Sequence, residues 1–226
     1  MNNLLLNLNN RKKKIIIIKK NINNNNNNNN KFTFVHPTKC GGTSVENFLN
    51  KYYSKYFYTN VHFNKCENNN NSILIVRDPV DRFKSMYKYW KSGSEIFIHK
   101  NKHIDRFKNV NIKTFIKILQ NNSNILYNRF LKNIHYQPIS YWIHDKYENI
   151  IIVKYCKDLN IPFQKMINSF NIPNLNIQIP HINVSKNKEN IILDDEDLQF
   201  IKEYFKKDYE LINLINTNPK LFRSVF

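Results

Sequence analysis

Short apolar runs alternate along the chain with stretches of helical period. Phe32–Val35, Ile73–Val76 and Ile150–Val153 are runs of the kind that form strands buried on both faces. Val45, Phe48, Leu49 and Tyr52 share one helical face and predict a helix over Thr43–Tyr53. Tyr56–Val61 is a further strand candidate. After Ile73–Val76, Asp78 is placed to cap a helix, Pro79 suits its first position, and Phe83, Met86, Tyr87 and Trp90 make its buried stripe. Helices are expected near Ile112–Leu119 and Ile125–Leu131. A long helix capped by Asp194 is expected to turn Leu198, Ile201, Phe205, Ile212 and Ile215 inward. Strands and helices in this order predict an α/β fold, a parallel sheet covered by helices on both faces.

The chain has 226 residues, enough for one domain with a substantial core. Residues 1–31 are low-complexity, ending in Asn23–Asn30, and such a tract is expected to be disordered. The folded domain is expected over 32–226, with Asn68–Asn71 as a short loop insertion. No run approaches the ~20 apolar residues of a membrane helix, and Leu4–Ile18 is broken by Arg11–Lys14. These features favour a cytoplasmic protein without a transmembrane segment. Three widely spaced cysteines, Cys40, Cys66 and Cys156, match no zinc spacing and are read as free thiols; pairing of Cys66 with either of the others requires the fold to bring them together.

The formal net charge is +18, from 35 Lys and Arg against 17 Asp and Glu. The tail contributes Arg11, Lys12, Lys13, Lys14, Lys19, Lys20 and Lys31 and no acid, yet the domain itself is still basic. Such a surface suits polyanions such as nucleic acid, anionic membrane, acidic glycans or phosphorylated cofactors. A solvated Lys-rich surface is the plainer account of the same excess.

Glycine occurs three times, and the only adjacent pair is Gly41–Gly42. It lies in His36-Pro37-Thr38-Lys39-Cys40-Gly41-Gly42-Thr43-Ser44, between a strand and a helix. Two glycines let a backbone turn tightly and bring its N–H groups to an anion, and the new helix aims its positive end at the same spot. Thr43 and Ser44 add hydroxyls, and Lys39 adds a mobile charge. The nucleoside-triphosphate P-loop places its Lys after the second glycine, whereas Lys39 precedes both, and the end of the later strand holds Arg77-Asp78-Pro79 in place of a Mg²⁺-binding acid. A glycine turn with a Thr/Ser helix cap would read the same way in isolation.

Arg77 ends the apolar run Ile73–Val76, and Ser85 follows in the next helix. Ligands of open α/β sheets sit at the carboxyl ends of strands, so Arg77 is placed to fork onto a phosphate and Ser85 to donate a hydroxyl beside it. The local alternative pairs Arg77 with Asp78 or Asp81.

The segments FVHPTKCGGTSVENFL and ILIVRDPVDRFKSMYKYW resemble the 5′-phosphosulfate loop and the 3′-phosphate motif of sulfotransferases, most nearly the carbohydrate sulfotransferases of the Golgi type. HYQPISYWI, NIIIVKYCKDL, IPHINVSK and DDEDLQFIKEYFKKDYELI follow in that family's order, so the resemblance spans Phe32 to about Ile212. Thr38-Lys39-Cys40 departs from the family's usual Pro-Lys-Thr/Ala, and the stretch from 54 to 76 is short. The resemblance implies a P-loop-like three-layer α/β fold with a central parallel sheet flanked by helices. It further implies transfer of a sulfuryl group from 3′-phosphoadenosine 5′-phosphosulfate (PAPS) to a hydroxyl or amine, on a carbohydrate acceptor, releasing PAP without a metal. Lys39, Cys40, Gly41, Gly42, Thr43 and Ser44 would hold the 5′ side, Arg77 and Ser85 the 3′-phosphate, and Ser185 and Lys186 would close over the nucleotide. Lys39 would also stabilise the leaving oxygen, and His62, at the end of the second strand, is the first choice of base, with His36 and His135 as alternatives. A P-loop-like small-molecule kinase and a non-catalytic polyanion-binding protein are the competing readings; no specific nucleic acid is expected as partner.

Overall fold

Four strands, β1 (Phe32–Val35), β2 (Phe57–Thr59), β3 (Ser72–Val76) and β4 (Ile150–Lys154), pair in parallel in the order β2-β1-β3-β4. This computed structural model describes residues 31–59, 66, 71–91, 110–121, 134–143, 150–156, 158–180 and 189–218. Residues 1–30 of the Asn-rich tail, residues 68–70 of the insertion and the helix expected over Ile125–Leu131 lie outside them.

The helices are α1 (Gly42–Tyr52), α2 (Pro79–Lys91), α3 (Ile112–Gln120), α4 (Asn160–Ser169), α5 (Asp195–Tyr204) and α6 (Lys206–Thr217), with 3₁₀ turns at Ile134–Tyr136 and Ile139–Trp142. The class is therefore α/β, as the alternation predicts. Every residue of β1 and β3 is buried, which is why both read as continuous apolar runs. β2 is one of the two edge strands, with β4 at the other side. β2 is shorter than the expected Tyr56–Val61, with Tyr58 exposed and residues 60 and 61 outside the described set.

Order in the sheet reverses between β1 and β3. β1 runs through α1 to β2 on one side, and β3 leads to β4 on the other. Where sheet order reverses in this way, crossovers of the usual right hand leave a crevice at the carboxyl ends of the strands, here those of β1 and β3. The apolar residues form two clusters. One surrounds the sheet, with Val45 and Leu49 of α1, Phe163 and Met166 of α4, and Leu211 and Ile215 of α6. The other lies among the helices away from the sheet: Phe83 and Met86 of α2, Phe115 and Ile116 of α3, and Ile201 of α5, with Tyr136, Ile191 and Phe205.

The single long helix expected after Asp194 is two helices. α5 opens with a reciprocal capping box between Asp194 and Asp197 and stops at Tyr204. Phe205, at φ −104° and ψ 26°, breaks the run and seats its ring against Phe83 and Tyr204. Ile201, Phe205 and Ile215 are buried as expected, Leu198 and Ile212 only half-buried. The break turns Leu211 and the carboxylate of Asp208 inward in their place.

Among the described residues no helix is long and apolar enough to cross a membrane. All three cysteines are free thiols, Cys40 and Cys66 buried and Cys156 exposed.

Candidate functional site

Register makes the two candidate loops neighbours. Val35, the last residue of β1, pairs with Leu74 in β3, and Val76 pairs with Lys154 in β4. The chain therefore leaves β1, β3 and β4 at one edge of the sheet, bringing Lys39, Arg77 and Tyr155 together. Arg77 Nη1 donates to the Lys39 carbonyl at 2.8 Å, and its guanidinium lies 4.3 Å from the centre of the Tyr155 ring. The local alternative is thus not the one adopted. Asp78 instead accepts from the Asp81 N–H and caps α2.

The loop after β1 is a turn closed by the Cys40 N–H donating to the Pro37 carbonyl. Lys39 occupies its third position at φ +66°, a left-handed conformation costing a side-chain-bearing residue roughly 1–2 kcal/mol. Gly41 follows at φ +76°. A Cβ at Gly41 would come within 2.8 Å of the Tyr155 ring, and one at Gly42 within 2.1 Å of His36. Both glycines are therefore demanded by close approach as well as by the turn. His36 is buried beneath Gly42, stacked on Phe34, with Nε2 3.0 Å from Glu46 Oε2. In that position it serves as packing for the loop.

α1 starts with Gly42. No side chain caps it and no acid stands in its first turn, so its positive end faces the crevice uncompensated. Thr43 and Ser44 lie half-buried in that turn. The Lys39 ammonium rests 4.2 Å from the centre of the Tyr89 ring. Burial, then the neighbouring positive charge of Arg77, lowers the Lys39 pKa to about 8. Ser85 lies half-buried one helical turn before Tyr89, on the same face of α2. Lys39, Arg77, Ser85 and the start of α1 thus border one crevice. The Nε of Arg77 is buried in it and finds no hydrogen-bond partner among the described residues.

Cys40 contributes least of the loop residues. Its side chain points into the sheet core, burial pushes its thiol up to about 11, and its N–H is committed to Pro37. His62, Ser185 and Lys186 lie outside the described residues, as does the side chain of His135.

The reading from sequence missed a second arginine. Arg82 is fully buried. Its Nε donates to the Thr38 carbonyl at 3.0 Å and its Nη2 to the Gln137 carbonyl at 2.8 Å, with Thr38 Oγ1 at 3.4 Å. Its Nη1 lies 3.8 Å from Oδ2 of Asp208, also fully buried, whose Oδ1 accepts from the Ser140 N–H. The guanidinium sits between the rings of Trp142 and Phe205. Burial lifts the Asp208 carboxyl above its ordinary value, and Arg82 and the N–H donors pull against it without overcoming it. One signal of this pair was present in the sequence. Arg82 and Asp208 carry opposite charges on the apolar stripes of their helices, where an unpaired charge would be costly.

The dip between the C-terminal half of α1 and α4, bordered by Phe48, Tyr53 and Phe163, has no room for a water, and no side chain of the crevice lines it. No family model, curated protein or solved structure matches the chain.

Proposed function

We propose that the chain is a sulfotransferase of P-loop-like fold that takes a sulfuryl group from PAPS and transfers it to a hydroxyl or amine, on a carbohydrate acceptor. One observation carries the reading: a buried Arg77 Nε lacking an acceptor among the described residues, beside Lys39 and the uncapped start of α1. A buried donor without a partner costs about 1–3 kcal/mol, and a bound anion removes that cost. Donors at two places, the start of α1 and the pair Arg77 and Ser85, would serve a nucleotide with phosphates at both ends. The N–H groups of Gly41 to Ser44 would take the 5′ side, Arg77 and Ser85 the 3′-phosphate.

In the in-line step the bond from sulfur to the phosphate oxygen breaks as the bond from sulfur to the acceptor forms. Negative charge grows on the leaving oxygen. Lys39, protonated below about pH 8, is the group that meets it. The acceptor's proton goes to a base, for which His62 is proposed from its place after the second strand.

Calorimetry with PAP and with ATP, both in EDTA, tests this. Micromolar PAP binding without metal is expected. Absence of PAP binding, or ATP binding that requires Mg²⁺, overturns the reading. Lys39→Ala is expected to lower transfer of ³⁵S from labelled PAPS by about 10²–10³-fold, the usual loss when a donor to a developing oxyanion is removed.

A further inference from the structure

We propose that Arg82 is a positioning residue. Together with Arg77 it clamps the two peptide groups that flank Lys39 and so fixes where the ammonium points. This rests on the sulfotransferase reading for its catalytic consequence, but not for its geometry.

The two carbonyls on either side of the Lys39 Cα are those of Thr38 and Lys39. Arg82 holds the first at 3.0 Å and Arg77 the second at 2.8 Å. Two peptide planes pinned by separate side chains determine the backbone angles of the residue between them. Lys39 is there at φ +66°, where a residue other than glycine needs surrounding contacts to stay. The clamp supplies those contacts.

The anchorage of the two arginines differs. Arg77 stands at the end of β3, half-buried, with Nη1 on the Lys39 carbonyl and a buried Nε that finds no hydrogen-bond partner among the described residues. Arg82 is fully buried, and besides Thr38 it meets Gln137, Asp208, Trp142 and Phe205. These are the protein's own groups, from the segments 137–142 and 205–208. Arg82 transmits the positions of α6 and of the segment 137–142 to the loop that carries Lys39. A Lys in its place keeps the charge but has no planar fork with which to reach the Thr38 and Gln137 carbonyls and Asp208 at once.

Among the described residues Arg77 from the end of β3 and the Tyr89 ring from α2 face Lys39, and the Cys40 thiol lies nearby, turned into the core. Release of the clamp moves the ammonium out of this enclosure. Competitive labelling of Lys39 with an amine reagent, read by mass spectrometry across pH, follows this without any turnover. Lys39 in the unaltered protein is expected to titrate near 8, and in Arg82→Lys to move toward 10.5. Asp208→Asn, which keeps the shape of the buried carboxylate, is expected to move it the same way by less, and it serves if Arg82→Lys does not fold. Kinetically, Arg82→Lys is expected to lower kcat about tenfold or more, with the KM for PAPS changed less than threefold, since a misdirected Lys39 loses stabilisation made only in the transition state.

Phe205→Leu removes a ring packed against Arg82 and touches neither carbonyl, so it reports the cost of loosening the core alone. A labelling pH for Lys39 that is the same in the unaltered protein, Arg82→Lys and Asp208→Asn overturns the clamp, as does a kcat in Arg82→Lys no lower than in Phe205→Leu. Failure of the unaltered protein to bind PAP overturns the sulfotransferase reading instead and leaves the labelling result standing.

Discussion

Two strand-to-helix junctions stand side by side at one edge of the sheet, and they are finished in opposite ways. At the junction from β3 to α2, Asp78 caps the helix with its own carboxylate and Pro79 begins it. That end is closed, and what it offers the crevice are side chains, Arg77 and Ser85. At the junction from β1 to α1, Gly41 stands at the cap, no side chain closes the helix, and Lys39 is held in a left-handed turn. That end is open, and what it offers is backbone. A site built from one of each gains a rigid donor from the first and an uncompensated positive pole from the second. Two open ends would leave adjacent helix starts unsatisfied, and two closed ends would bind nothing.

The contrast can be broken at four strengths. Gly42→Ala is expected to have the largest effect, because a Cβ there meets His36 at 2.1 Å. Overpacking of this kind costs about 3 kcal/mol, which lowers the melting temperature of a domain this size by roughly 10 °C. A thermal melt measures it, and PAP binding should vanish with the displaced loop. Next, Arg77→Ala removes the donor of the closed junction. A hydrogen bond to a charged group contributes about 1.5–3 kcal/mol, so calorimetry should show PAP affinity down by roughly 10–100-fold.

The third test is pH. Burial and Arg77 hold the Lys39 pKa near 8, and a bound polyanion favours the charged form, so the pKa is higher in the complex. Binding is therefore undiminished below pH 8 and weakens as pH rises through 8, with uptake of one proton. Between pH 7 and 9 the affinity for PAP should fall by about tenfold, and calorimetry in buffers of different ionisation enthalpy should register the proton. Affinity that is flat across this range would mean that Lys39 does not face the anion.

The mildest test swaps the character of the junctions. Thr43→Asp adds an acid to the first turn of α1. It should raise stability by about 0.3–1 kcal/mol while weakening PAP binding by up to fivefold, because the carboxylate takes the place the anion would occupy. Asp78→Ala should do the reverse at α2, costing about 1 kcal/mol of stability and leaving PAP affinity unchanged. Equal effects of the two substitutions on binding would erase the distinction.

Much of this edge was legible in the chain. Phe32–Val35, Ile73–Val76 and Ile150–Val153 are buried on both faces and therefore carry no alternation to confuse them with anything else. Asp78-Pro79 and Gly41–Gly42 punctuate their helices in the manner that local backbone physics requires. The conformation of Lys39 was not legible, because a left-handed angle at a residue other than glycine is imposed from outside the loop, by side chains distant in sequence. The same holds for Arg82: its partners are carbonyls and a carboxylate that only the tertiary fold brings near. The break at Phe205 escaped notice because the helical period of apolar residues continues across it; the aromatic contacts with Phe83 and Tyr204 decide the matter.

The tie between Arg82 and Asp208 also sets an order of assembly. The Lys39 turn is made before the carboxylate at the far end of its support, which belongs to α6 and follows all four strands in the chain. Until α6 docks, Arg82 is a buried charge without its counter-ion, a state costing on the order of 3–5 kcal/mol. The sheet can collapse first, as its apolar strands dictate, but the crevice takes its working shape only when residue 208 arrives. A growing chain of this protein would form its sheet before it could fix the turn that carries Lys39.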